Sequence, residues 1–140
     1  MKIKNPKTIS EYKTKYQLIS ETLDDLLIEL YDHSQKNNWS DKTYKKKEEH
    51  FKRLYSSLFI RLNEWLVGFN LPKQNTITKA KKLLETNVFA SVIDVKEKNY
   101  YNCNSKNNLR KYIKKYPHKK VNKTLAKDEG YRIFLEHLFF

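Results

Sequence analysis

Ten Lys or Arg side chains stand between Lys98 and Lys127, and no Asp or Glu interrupts them. That tract carries ten of the chain's thirteen net positive charges, while the other residues balance 19 bases against 16 acids. Crowded cations repel one another, and a phosphate backbone lying along them relieves that repulsion and releases counterions. At 100° per residue, a helix from Leu109 places Leu109, Tyr112, Ile113 and Tyr116 on one arc and Arg110, Lys111, Lys114 and Lys115 on the other. The first arc is expected to pack and the second to meet a polyanion, with Lys119, Lys120, Lys123 and Lys127 extending the track. Lys outnumbers Arg 25 to 4, which favours ammonium-to-phosphate contact over bidentate reading of guanine. Tyr100 and Tyr101, in the polar run 99–108, are candidates for stacking on unpaired bases, with loop anchoring as the alternative role.

Other reactive side chains point to less. The four histidines, His33, His50, His118 and His137, show no HExxH spacing, and none pairs with Cys103 at a metal-ligand interval, so neither a metal nor another cofactor is expected. One cysteine excludes a disulfide framework and fits a reducing compartment. Arg132 and His137 stand in an Arg-x4-His arrangement, in which His can move a proton and Arg can stabilise phosphate charge. This spacing resembles the motif of HEPN-type ribonucleases, small helical proteins whose paired subunits act on RNA. The resemblance implies Arg132 and His137 as a catalytic pair; a non-enzymatic binding protein is the leading expectation.

The elements that must position these residues are helical. Two Gly and three Pro are too few for a many-turned β sandwich, barrel or propeller, and no Gly-rich phosphate loop can form. Ile9, Tyr12, Tyr16, Ile19, Leu23, Leu26 and Leu30 keep three-then-four spacing after a Thr8/Glu11 capping box, which predicts one long first helix. Asn37 and Asn38 should end it, and Ser40 should cap a second helix running to about Gly68, giving an antiparallel hairpin over 8–70. Thr76 or Asn75 would cap a helix with Ile77, Ala80, Leu84 and Val88. The β-branched stretch 88–95 leaves a small β-hairpin near 88–101 as the alternative. Pro117 should stop a helix over 107–116, and a last helical segment is expected within 121–138. Pro117 to Lys120 resembles a helix-turn-helix connector, with Asn122, Lys123 and Thr124 outward on the helix that follows. The fold class is therefore all-α, an irregular helical bundle forming a single domain over 1–140.

Partners follow from charge. Between Tyr16 and Gln35 the charged side chains are Glu21, Asp24, Asp25, Glu29 and Asp32, so the outer face of the first helix is acidic. Nucleic acid or a nucleoprotein is the expected partner of the basic surface. The runner-up is a small phage-type inhibitor or adaptor that occupies a partner protein, with the acidic face contacting it; the Lys and Asn bias suits an AT-rich source. The heptad seam is expected to be that of a core helix, with a homodimer as the alternative. Uncharged runs are too short to cross a bilayer and MKIKNPK lacks a signal-peptide stretch, so an intracellular protein without a membrane role is expected.

Overall fold

The helix-forming signals are realised in a computed structural model that describes residues 5–120 and 130–134. Six α-helices occur among the described residues: α1 Ile9–Tyr16, α2 Leu23–Lys36, α3 Asp41–Gly68, α4 Ile77–Asn87, α5 Val92–Lys96 and α6 Lys106–Lys115. A 3-10 turn follows at Pro117–Lys119. The described residues contain no strand, so the all-α expectation holds and the β-hairpin alternative for 88–101 is not realised. In its place, Val92 and Val95 bury one side of the short helix α5. The chain divides into two compact units, Met1–Phe59 and Ile60–Phe140, and α3 supplies residues to both.

The first unit corrects the single long helix expected from the heptads. Gln17 takes a left-handed conformation (φ 56°) and ends α1, its N–H and that of Leu18 both donating to the Lys13 carbonyl. This paired closure satisfies carbonyls at a helix end without needing Gly. Leu18 is then buried, whereas Ile19, placed in the seam by the heptad count, is 84% exposed. Thr22 starts α2 by accepting the Asp25 N–H at 3.2 Å. The Glu29 carboxylate reaches back from α2 and accepts the N–H groups of Ile19 (3.0 Å) and Ser20 (2.8 Å), so the linker has no orphaned donors there.

Burial opposes charge on Glu29, but the backbone donors of Ile19 and Ser20, the Ser20 side chain and the Lys13 charge outweigh it and hold the carboxyl below its ordinary value of 4.5. A lowered folded-state value means the contribution is complete above 4.5 and disappears as pH falls through the lowered value. Glu29→Gln is therefore expected to lower the Tm at pH 7, with the gap to wild type narrowing as pH falls below 4.5. Parallel melts that keep the same gap above and below that pH would contradict this role.

Around that linker, Tyr12, Tyr16, Leu26, Leu30, Phe51, Tyr55 and Leu58 are buried as the unit's core. Tyr12 meets Phe51 edge-on at 5.2 Å and shares a 2.7 Å hydrogen bond with His50 Nδ1. Burial, followed by neighbouring Tyr16, pushes the Tyr12 phenol up to about 12, so its hydroxyl remains available as the donor. Asn38 at φ 54° makes the turn, and Ser40 accepts the Thr43 N–H at 3.1 Å to start α3 as the sequence predicts. Tyr31 against Tyr44, and Tyr55 OH donating to the Glu21 carbonyl, show α2 and α3 running antiparallel.

In the second unit, the last turns of α3 bury Leu62, Trp65 and Leu66, which join Ile77, Ala80 and Leu84 of α4, Val92 and Val95 of α5, Leu109 of α6, and Ile133 with Phe134 in its buried set. Thr76 caps α4 by accepting the Lys79 N–H. Buried Asn63 accepts the Gln74 N–H (2.8 Å) and donates to the Gln74 carbonyl (3.2 Å), closing the connection between α3 and α4. Gly68 lets the Tyr100 ring lie against the end of α3, where a Cβ would stand 2.6 Å from three ring atoms. Gly68→Ala should displace that ring at an overpacking cost of about 1–3 kcal/mol, less up to about 1 kcal/mol of helix propensity. The expected readout is a lowered Tm and faster proteolysis of the 97–105 loop; an unchanged melt would show that Tyr100 swings aside freely.

Candidate nucleic-acid interface

The asparagine-rich run before α6 is a loop, as expected, but its side chains give it a defined course. Asn102 accepts the N–H groups of Phe89 (3.0 Å) and Asn104 (2.9 Å) through Oδ1 and donates to the Asn87 carbonyl (2.8 Å). Asn104 sits at φ 69°, a region its short polar side chain tolerates. Ser105 then caps α6 by accepting the Asn108 N–H at 3.1 Å. Fully buried Leu109 pins the helix.

A second anchor comes from Asp94 of α5, whose side chain is 0% exposed. One carboxylate oxygen accepts the Tyr112 hydroxyl at 2.7 Å, and the other accepts the Lys119 ammonium. Ser91 OH donates to the Lys119 carbonyl at 2.7 Å, so α5 holds both α6 and the 3-10 turn. Burial and then the Asp94 hydrogen bond push the Tyr112 phenol up to about 12. The hydrogen bond to Asp94 is likewise the main cause that raises the Lys119 ammonium above its ordinary value. Burial, with Asp94 nearby, raises the Cys103 thiol, which keeps it protonated and poorly nucleophilic.

From this frame the cationic face projects as the helical projection requires. Arg110, Lys111, Lys114, Lys115 and Lys120 are all exposed. No described carboxylate lies within ion-pairing distance of these five. Lys119 departs from the expected track because its charge is committed to Asp94. Lys123 and Lys127 lie outside the described residues.

The two tyrosines of the loop take different roles. Tyr100 is an anchor, meeting Phe69 edge-on at 5.2 Å, so it does not offer a free stacking face. Tyr101 is 51% exposed. Tyr116, expected in the core, is 38% exposed, because Leu109 is the buried residue of α6. Tyr101 and Tyr112 have ring centroids 5.1 Å apart, Tyr112 and Tyr116 5.2 Å, and Tyr116 and His118 6.1 Å. These rings line an open groove of about 900 Å³ into which Lys111 and Lys115 also project. Lys115 Nζ lies 5.5 Å from the Tyr116 ring centroid. The four-residue step from Tyr112 to Tyr116 was the available sequence signal for two rings on one helix face; the approach of Tyr101 depends on the loop's tertiary course.

Other predicted site residues lie elsewhere. Glu21, Asp24 and Asp25 are exposed, whereas Glu29 is occupied by the Ile19 and Ser20 backbone. Arg132 is exposed, and its proposed catalytic partner His137 lies outside the described residues. No group of three His, Cys, Asp or Glu side chains suited to a metal occurs among the described residues. No helix among them is long and apolar enough to cross a membrane. No protein-family model, curated protein or solved structure matches this chain.

Proposed function

We propose that this protein binds nucleic acid through the cationic face of α6, without itself performing chemistry on it. The observation that carries this reading is the set of five exposed cations, Arg110, Lys111, Lys114, Lys115 and Lys120, that no described carboxylate neutralises. Such a surface attracts a phosphate chain by direct attraction and by counterion release, and its lysine-rich composition favours backbone contact over base-edge reading. The adjacent Asp94 network gives the face a fixed footing. Protein purified in low salt should carry nucleic acid, seen as excess absorbance at 260 nm that disappears after a high-salt wash. Protein that emerges free of nucleic acid and fails to retain added oligonucleotide would refute the proposal.

A second reading, capture of a partner protein, draws on exposed Ile28 and Tyr31 beside the acidic Asp24 and Asp25 of α2. An apolar patch rimmed by like charges suits a basic protein surface. Recovery of one host protein after nuclease treatment, lost on Ile28→Asp, would favour it.

A further inference from the structure

We infer that the groove beside α6 takes unpaired bases of a single-stranded nucleic acid, stacking them on Tyr101, Tyr112 and Tyr116. This rests on the nucleic-acid reading above and adds the form of ligand. A lysine face alone would serve duplex and single strand alike, since both present phosphates. The three rings are what distinguish them. Their centroids are spaced 5.1 and 5.2 Å apart, and two of the rings are solvent-exposed despite their large apolar faces. Base faces are covered inside a duplex and become available only in an unpaired strand, where aromatic stacking is worth a large, sequence-tolerant share of affinity.

Four further features fit an unpaired strand. The groove, at about 900 Å³, lies near the upper end of the roughly 300–1,000 Å³ typical of organic ligand sites, far beyond what a lone anion requires. Its middle ring is held in place, because the Tyr112 hydroxyl is bonded to buried Asp94. A fixed ring loses little freedom when a base settles on it. Asn99 and Asn104 are also among the residues that line the groove, and their side-chain amides have no hydrogen-bond partner among the described residues. Each offers a donor and an acceptor to a base edge. Lys111 and Lys115, in the same lining, are placed for the phosphates between successive bases.

The test uses the full chain with labelled single-stranded DNA, single-stranded RNA and duplex DNA of equal length, read by anisotropy. The proposal expects tighter binding of at least one single strand than of duplex. Tyr101→Ala and Tyr116→Ala should each weaken that binding by roughly 5- to 100-fold, the range that loss of one stacking ring produces. Tyr101→Phe and Tyr116→Phe should restore it, since the ring is retained. Both positions are exposed, and an unchanged melt will confirm that the variants fold. Duplex binding equal to or tighter than single-strand binding, or indifference to both Ala variants, would overturn the inference while leaving the broader reading standing. Failure of every nucleic acid to bind would remove both.

Discussion

Reversing Arg110, Lys111, Lys114 and Lys115 to Glu is expected to weaken nucleic-acid binding by at least about a hundredfold while the helical circular dichroism persists. Each reversal removes two units of charge from a chain at +13, so the quadruple variant remains positive overall. A protein that binds through diffuse positive charge would therefore retain appreciable affinity. One that binds through the α6 face would lose it, because these side chains are concentrated on two turns. All four are exposed, so no core contact is removed. Glu in the last turn does oppose the helix dipole, at about 0.3–1 kcal/mol for each of residues 114 and 115. A second variant with Gln at the four positions avoids that penalty and should show an intermediate loss. Equal retention of oligonucleotide by both variants and wild type would place the contact elsewhere.

Asp94→Ala should produce the largest loss of stability among the substitutions considered, and it separates electrostatics from architecture. The change leaves the Tyr112 hydroxyl without its acceptor and frees the Lys119 ammonium. A hydrogen bond to a charged group is worth about 1.5–3 kcal/mol, which corresponds to a fall in Tm of roughly 6–24 °C in a unit of this size. Asp94→Asn retains an acceptor for Tyr112 and should fall between alanine and wild type. The variant also gains one net positive charge and releases a lysine beside the groove. On charge alone its affinity for nucleic acid would rise. With the Tyr112 ring no longer fixed, single-strand affinity is expected to fall instead, even at a temperature where the variant remains folded. Tighter binding by Asp94→Ala would show that the network is irrelevant to recognition.

Much of this arrangement is written locally. Ser40, Thr76 and Ser105 each precede a helix and each accepts an N–H three residues on, because a short hydroxyl side chain can reach that donor without tertiary help. The α6 cations are equally local, since a helix fixes which neighbours share an arc. The break at Gln17 was hidden because it uses neither Gly nor Pro, and the heptad spacing continues across it. The Thr22 to Asp25 cap was its one visible trace. Glu29 looked like one member of an acidic face, and only the chain's return past α2 shows that it binds the Ile19 and Ser20 amides. Asp94 could not be foreseen as a buried anchor: its partners lie 18 and 25 residues away. The tyrosine row has the same origin, one step being local to α6 and the other supplied by a loop.

The most direct measurement of the central claim is the salt dependence of binding to a single-stranded oligonucleotide. Five phosphate contacts, one for each of Arg110, Lys111, Lys114, Lys115 and Lys120, predict a slope of about −3.5 in log K against log salt concentration. The quadruple Gln variant, which keeps Lys120, should reduce that slope to about −0.7. Absence of binding at low salt, or affinity that does not change with salt in the wild-type protein, would contradict the account.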